Sequence, residues 1–245
     1  MTERLRWLGH ATVGLEIGGA RLVTDPVLRG RIAHLRRHAA AADPPAAIDA
    51  ILISHVHHDH LDLPTLRALD PGAVLVVPPG AGRAVRRLGR EVIELRAGDA
   101  TAIAGATVTA VEAVHDARRG PFGAAAGSVG YLLEGAARVY FAGDTEVFPG
   151  MAELGRVDCA LLPVWGWGYS LGPGHMDPDE AAQAAALVDP GVAVPIHWGT
   201  LLPIGARARH KVLLTDPPRR FAARVAELAP RTRVEILSPG GELEL

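Results

Sequence analysis

Short apolar stretches that end in polar residues recur along the chain. Each has the length of a strand, is rich in Val, Ile and Leu, and is bounded by Gly, Pro or Asp, a combination typical of buried β-strands. This pattern predicts strands over residues 12–17, 20–25, 50–55, 74–78, 108–115, 128–135, 139–144, 159–164, 192–198 and 234–237.

Helical patterns lie between these stretches, over residues 63–69, 80–88, 145–154, 178–187 and 218–228. The fourth begins most clearly, because Asp177 can cap it, Pro178 suits its first position and Glu180 lies in its first turn. Strands that alternate with helices favour a layered αβ fold of the α/β or α+β class. Neither a long repeat nor a low-complexity linker is present, so we expect one domain over residues 1–245.

Composition narrows the function classes. The 245 residues are 49% hydrophobic, and 25 Lys and Arg against 27 Asp and Glu give a net charge of −2. This balance argues against a strongly basic nucleic-acid binder, so no nucleic-acid partner is expected. The longest uncharged stretch, residues 159–176, contains prolines and glycines that argue against membrane insertion. Cys159 is the only cysteine and the start lacks an apolar secretory core, which together favour a cytoplasmic protein.

The polar residues at the ends of the predicted strands are the kinds that bind metal. Asp25, His115 and Asp144 each end an apolar stretch, His197 lies near the end of another, and residues 55–60 read His-Val-His-His-Asp-His. Four crowded imidazoles repel one another when protonated and are costly to bury unpaired when neutral. A divalent cation removes this conflict, since imidazole and carboxylate are its natural ligands.

Each of the later residues also has a structural interpretation. His115 could cap a strand, Asp144 could cap the helix predicted after it, and His197 could pack as a ring in the core. Their common position at strand ends favours a shared metal site over three separate structural roles.

The HxHxDH motif after a buried strand resembles the metallo-β-lactamase superfamily, and the resemblance covers nearly the whole chain. It implies a four-layer αββα sandwich with the site at the edge where two mixed sheets meet. It also implies two divalent metal ions, with Zn²⁺ the first expectation and Mn²⁺ or Fe the alternatives. The ligands implied for one ion are His55, His57 and His115, those for the other are Asp59, His60 and His197, and Asp144 would bridge both.

Further segments resemble one branch of this superfamily. WLGHATVGLEIGGARLVTDP, GPGHMDPDEAAQAA and PIHWGT are similar to the ascorbate-phosphate lactonase-like group, which includes N-acyl-phosphatidylethanolamine phospholipase D. The resemblance implies a hydrolase in which a metal-bridging hydroxide cleaves an ester, lactone or phosphoester bond. Asp59 and Asp144 would then be catalytic as well as metal-binding.

Three residues outside the implied ligand set are candidates for supporting roles. Metal-bound imidazoles usually donate their second N–H to a carboxylate or carbonyl, so we expect Asp25 to orient a ligand, and His10 to act similarly or to be structural. His175 lies in a Gly/Pro-rich loop before the capped helix, where it can donate a proton to the leaving group or fasten the loop.

Aromatic and basic residues suggest how a small-molecule substrate would be held. Aromatic rings of the loop after residue 164 can form a pocket wall or pack over the core, and arginines near the motifs can bind an anionic substrate or form a solvated surface. The substrate candidates are Arg119, Trp165, Trp167 and Tyr169, and the roles of His58 and of residues 31–37 stay open.

Competing functions remain at this level. A phosphodiesterase or nuclease acting on nucleotides or RNA would use the same metal pair, and a non-catalytic metal-binding module would need only the ligands. Redox di-iron chemistry is disfavoured, since that branch usually has an acidic residue where His57 stands. The substrate, the metal and the oligomeric state are left open by the sequence.

Overall fold

The computed structural model describes residues 2–40, 42–118, 126–206 and 208–245. The strands of this part of the chain follow in order: β1 (Arg4–Gly9), β2 (Thr12–Ile17), β3 (Ala20–Thr24), β4 (Arg31–Ile32), β5 (Leu35–Arg37), β6 (Ala50–Leu52), β7 (Val74–Val77), β8 (Val92–Glu94), β9 (Ala100–Ile103), β10 (Ala106–Glu112), β11 (Val129–Glu134), β12 (Arg138–Phe141), β13 (Cys159–Pro163), β14 (Val192–Ile196), β15 (Leu201–Pro203), β16 (Arg233–Val234) and β17 (Glu242–Glu244).

Helices are fewer and mostly short. The α-helices are α1 (Leu63–Ala68), α2 (Gly82–Val85), α3 (Pro178–Val188) and α4 (Pro217–Leu228). Segments of 3₁₀-helix span Arg86–Leu88, Pro149–Leu154 and Ala208–Leu214. Among the described helices, none is both long enough and apolar enough to cross a bilayer.

Two seven-stranded sheets carry the fold. The first has the order β17-β1-β2-β3-β6-β7-β8, antiparallel as far as β3 and parallel beyond it. The second has the order β16-β14-β13-β12-β11-β10-β9, parallel as far as β12 and antiparallel beyond it. Strands β15, β5 and β4 form a third, small sheet. Both large sheets are therefore mixed, as the resemblance implied.

The hydrophobic core separates into layers according to which way the strand residues point. Within β13, Cys159 and Leu161 belong to the core between the two sheets, whereas Ala160 and Leu162 pack with the residues of α3 and α4. This division follows from the two-residue period of a strand that is buried on both faces. Helices α1 and α2 cover the outer face of the first sheet in the same way. The four-layer αββα sandwich is thereby confirmed.

Helix α3 begins as its sequence predicts. The Asp177 carboxylate accepts the N–H groups of Asp179 and Glu180, and the Glu180 carboxylate accepts the N–H of Asp177. This capping box satisfies N–H groups that the first turn leaves without an intrahelical partner. The cap fixes where the preceding loop, which contains His175, joins the helix.

Two predicted elements are wrong. Residues 145–154 do not form an α-helix: only Pro149–Leu154 is helical, as 3₁₀-helix, because the Thr145 hydroxyl and the Glu146 N–H bond to the backbone of Val114 instead. The strand predicted over 234–237 ends at Val234, and the chain closes with β17, which pairs with β1. The helix prediction fails because Val114, a long-range partner that a local pattern does not contain, bonds to the residues at its start. In the strand prediction, Glu235 still donates its N–H to the carbonyl of Ala193 in β14, but the ladder goes no further.

Candidate metal centre

Five strands from the two large sheets end at one edge of the sandwich. Asp25 follows β3, residues 55–60 follow β6, His115 follows β10, Asp144 follows β12 and His197 follows β14. The strands are rigid and buried, whereas the segments after them are free to present side chains. The fold therefore gathers, at this edge, residues that lie far apart in sequence.

One group of three histidines converges on a common point. His55 Nε2 lies 3.0 Å from His57 Nδ1, which lies 3.1 Å from His115 Nε2. Three imidazole nitrogens this close together can share one cation without moving far.

Hydrogen bonds on the far side of two of these rings fix which nitrogen is bare. His115 Nδ1 lies 2.7 Å from the carbonyl of Gly174, and His57 Nε2 lies 3.3 Å from the carbonyl of Arg118. Since a carbonyl only accepts, these nitrogens must carry the proton. His115 Nε2 and His57 Nδ1 therefore present lone pairs to the shared point.

Asp25 controls two ligand candidates at once. Its Oδ2 accepts the Nδ1–H of His60 at 2.7 Å and the Ser54 hydroxyl at 2.5 Å, and its Oδ1 accepts the Ser54 N–H at 2.7 Å. The Ser54 oxygen is then free to accept from His55 Nδ1 at 3.0 Å. With Nδ1 donating, the Nε2 atoms of His55 and His60 each carry a lone pair when the rings are neutral.

The second group contains Asp59, His60 and His197. His60 Nε2 and His197 Nε2 are 2.9 Å apart, and Asp59 Oδ2 lies 3.8 and 3.7 Å from them. His197 Nδ1 donates to the carbonyl of Trp165 at 2.6 Å, so its Nε2 is also bare. This group offers two imidazole lone pairs and a carboxylate to a cation.

Asp144 lies between the two groups. Its Oδ2 is 3.9 Å from His55 Nε2 and 3.2 Å from His60 Nε2, and its Oδ1 is 3.3 Å from His197 Nε2. Burial opposes ionisation of Asp144, but nearby His197 and His60 hold its pKa well below the usual range. An ionised carboxylate in this position can reach cations in both groups.

The chemistry of the site fits divalent cations. Bare imidazole nitrogens face one another at about 3 Å, and the buried Asp144 Oδ1 has no hydrogen-bond donor. In the described part of the chain, Asp25, Asp59 and Asp144 make ion pairs only with histidines. Burial lowers the pKa of His115 to about 4, so this ring is neutral at pH 7. Burial opposes protonation of His60, but Asp144, Asp25 and Asp59 raise its pKa well above the usual range. The buried carboxylates at this edge therefore attract positive charge, which metal ions would supply.

His10 lies behind the second group. It is fully buried, its Nε2 donates to Asp59 Oδ2 at 3.1 Å, and its ring lies 3.8 Å from that of His197. Burial, with His197 close by, lowers its pKa to about 3, so the ring is neutral. The Trp167 indole N–H donates to the same Asp59 oxygen at 2.9 Å. Two donors thus fix the Asp59 carboxylate.

His175 also contacts Asp144. Its Nδ1 is 3.1 and 3.2 Å from the carbonyls of Gly172 and Pro173, and its Nε2 is 3.4 Å from Asp144 Oδ2. Burial opposes protonation, but the Asp144 carboxylate outweighs it and raises the pKa of His175. The loop therefore directs His175 Nε2 into the site.

A cavity of about 440 Å³ borders these residues. This volume is within the range of small-molecule sites. The described residues that line it are Ile32, Ala33, His34, Leu35, His57, His58, Asp59, Arg118, Asp144, Trp167 and His175.

The substrate candidates divide. Trp167 lines the cavity, whereas Trp165 reaches the site through its backbone carbonyl, and Tyr169 is half exposed and packs against the His210 ring at a tilt. Arg119 lies outside the described residues.

The arginines of residues 31–37 are absent from the described lining. Arg31 donates to the carbonyl of Ala33, and Arg37 donates to those of Val27 and Arg29.

Sequence reasoning missed several residues that support the site. Ser54 links Asp25 to His55, and its place directly before the motif was the only available signal. Glu146 accepts the N–H of Gly174 at 2.7 Å and so fixes the carbonyl that orients His115, with no sequence signal at all.

The sandwich and the histidine–aspartate edge define the class of an αββα metallohydrolase. Residues 20–198 match the family model described as the Beta-lactamase superfamily domain. The chain belongs to the β-lactamase superfamily, and the resemblance to the metallo-β-lactamase superfamily is confirmed. The resemblance to the lactonase-like branch stays a prediction.

Relatives are similar over the full length. A protein of Aeropyrum pernix named UPF0173 metal-dependent hydrolase is 34% identical, over 98% of this chain and 97% of its own. A protein of Thermococcus onnurineus with the same name is 33% identical, over 99% of each chain. The protein is therefore a metal-dependent hydrolase.

Solved structures share the fold. Igni18, a metallo hydrolase from Ignicoccus hospitalis, aligns at a TM-score of 0.75 and 24% identity, over 100% of this chain and 99% of its own. CmlA, a diiron β-hydroxylase from Streptomyces venezuelae, aligns at a TM-score of 0.75 and 20% identity, over 100% of this chain and 54% of its own. Since one fold supports both hydrolysis and oxidation, function must be argued from the site.

Proposed function

We propose that the protein is a dinuclear metallohydrolase that cleaves an ester, lactone or phosphoester bond of a small substrate. The observation that carries this proposal is the pair of lone-pair clusters, one on each side of Asp144. His55, His57 and His115 would hold one ion, Asp59, His60 and His197 the other, and Asp144 would bridge them. A mixed nitrogen and oxygen donor set suits Zn²⁺ first and Mn²⁺ or Fe as alternatives.

The residues of the chain would each have a defined task. When bound, two divalent ions would lower the pKa of a coordinated water toward about 7 and would stabilise developing negative charge. Asp25 keeps the Nε2 lone pairs of His55 and His60 directed into the site. His10 and Trp167 keep the Asp59 carboxylate in one orientation. This positioning holds the donors ready before the substrate arrives.

His175 is our candidate for the proton donor to the leaving group. Carbonyl partners keep a proton on Nδ1, so a second proton on Nε2 points into the cavity. The neighbouring Asp144 favours that protonated form. A poor leaving group needs such a donor, whereas a good one does not.

The charge of the substrate is a separate question. Of the described arginines, only Arg118 lines the cavity, and its guanidinium is hydrogen-bonded to Asp116 at 2.9–3.2 Å. An anionic substrate would have to compete with Asp116 or use Arg118 jointly with it. The support for an anionic substrate is therefore limited to this one side chain.

A panel of substrates tests the proposal. Purified protein, stripped with a chelator and reloaded with Zn²⁺, Mn²⁺ or Fe²⁺, should hydrolyse at least one class among nitrophenyl esters, lactones and phosphoesters, and only when reloaded. Hydrolysis confined to phosphodiesters or RNA would favour the nuclease alternative. Metal binding without turnover of any class would favour a non-catalytic module.

A further inference from the structure

Four of the residues that line the cavity have apolar side chains and are not metal-ligand candidates. Ile32, Ala33 and Leu35 come from the hairpin of β4 and β5, and Trp167 comes from the loop after β13. We refer to these four residues as the apolar wall. The same cavity is lined by the metal-ligand candidates His57, Asp59 and Asp144 and by the proton-donor candidate His175.

The apolar wall is packed firmly. Ile32 and Leu35 are 1% and 3% exposed and form a small core with Val27 and Leu201, and the Trp167 ring packs against this core. Well-packed side chains keep their rotamers, so the wall has a fixed shape. A wall of fixed shape can select among substrates by size.

Trp167 connects the wall to the metal centre. Its indole N–H donates to Asp59 Oδ2 at 2.9 Å, and its ring meets the His34 ring edge to face at 4.8 Å. A group bound against the indole would therefore lie beside the ligands, within reach of the bond that is cleaved.

We propose that the apolar wall binds an uncharged hydrocarbon part of the substrate, such as a short acyl chain next to the scissile bond. The inference rests on the proposed function and narrows its substrate class to esters or lactones with such a chain. None of the four wall residues carries a charge, and the basic side chains of the described lining are His34, His57, His58, Arg118 and His175. An ionic group held against the wall itself would therefore lose hydration without a partner among the wall residues.

The test is equilibrium binding of the acyl products, which does not depend on turnover. Zn²⁺-loaded protein is titrated calorimetrically with acetate, butyrate, hexanoate and octanoate. If the wall buries the chain, Kd should fall with each added methylene by up to about fourfold until the cavity is full. A Kd that is independent of chain length would overturn the proposal.

Substitutions show whether the wall is responsible. Trp167→Ala should flatten the dependence of Kd on chain length, whereas Trp167→Phe should keep most of it because a ring remains. Ala33→Asp adds a carboxylate at an exposed position with φ of 47°, a conformation that Asp tolerates, and should also flatten the dependence if Trp167→Ala fails to fold. Leu187→Ala, on the outer helix α3, is the matched control and should behave as the wild type.

Hydrolysis of the matching nitrophenyl esters separates this proposal from the proposed function. If Kd depends on chain length but no ester is hydrolysed, the proposed function is refuted and the role of the apolar wall stands. If the esters are hydrolysed but neither the Kd of the products nor the rate depends on chain length, the proposed function stands and the role of the apolar wall is refuted. Unchanged chain-length dependence in both Trp167→Ala and Ala33→Asp would place the hydrocarbon elsewhere.

Discussion

Replacing Asp25 with Asn probes how the site holds its ligands. The Asp25→Asn substitution would keep the size of the side chain but exchange one acceptor oxygen for an NH₂ group. If the remaining oxygen accepts from Ser54 N–H, the NH₂ faces His60 Nδ1 and favours the tautomer that carries the proton on Nε2. That proton would point toward His197 Nε2 and Asp144, where a metal ion needs a lone pair.

The expected magnitude follows from this lost lone pair. Removing the partner of a metal-bound imidazole typically costs 10–100-fold in metal affinity, or roughly 1.4–2.7 kcal/mol. The free energy of unfolding of the metal-free protein should fall by less than this loss in metal-binding free energy. Burial raises the pKa of Asp25, so the folded protein disfavours its charged form, and the substitution removes that buried charge. Asp25→Asn should therefore lose much of its metal affinity while keeping most of its folding stability.

Chelator competition measures the metal affinity, and urea unfolding of the metal-free protein measures stability. Asp62→Asn is the matched control, since Asp62 is also buried but its carboxylate caps α1 and pairs with Arg29 instead of a ligand candidate. The control should lose stability and keep its metal. Wild-type metal affinity in Asp25→Asn would refute the role given to Asp25.

Three further substitutions test other parts of the site. Asp144→Ala should abolish turnover while circular dichroism stays close to wild type, and turnover at the wild-type rate would show that no bridge is needed there. His175→Ala should lower kcat by about 10²–10⁴-fold on esters with poor leaving groups but affect activated nitrophenyl esters far less, and its metal content should stay at the wild-type level. Equal losses of kcat on both ester types would show that His175 has a positioning role, and loss of metal would show that it is a ligand. In Gly174→Ala, the added Cβ would lie 2.6 Å from His115 Nδ1, at a φ of 81° that disfavours Ala. Elemental analysis should therefore show less bound metal, and urea unfolding should show a loss of at least about 1–2 kcal/mol of stability. Full metal content would contradict this prediction.

The places of several polar candidates in the fold could be predicted because these residues follow buried strands, whereas the ligand roles come from the family resemblance and stay a prediction. Val, Ile and Leu mark buried strands locally, and the polar residue after each strand must emerge at an edge. The pattern predicts Asp25, His55 and Asp144 at strand ends, and in the structure they follow β3, β6 and β12 at one edge. The local pattern therefore predicts where these side chains emerge, but not which of them bind metal.

The cavity wall could not be predicted, since it depends on pairing between distant segments. Strands β4 and β5 are two and three residues long, too short for an alternating pattern. Their third partner, β15, pairs Leu201 with Arg37 across most of the chain. The arginines of this hairpin suggested an anion site, but Arg37 donates to backbone carbonyls once the sheet has formed.

The number of metal ions per chain tests the dinuclear centre most directly. Protein purified without chelator and then titrated with Zn²⁺ should bind about two ions per chain by elemental analysis, as expected for paired sites that share a carboxylate. Asp144→Ala, measured alongside, should bind fewer ions at the same free Zn²⁺ concentration. No bound metal, or saturation at one ion per chain in the wild type, would contradict the dinuclear centre.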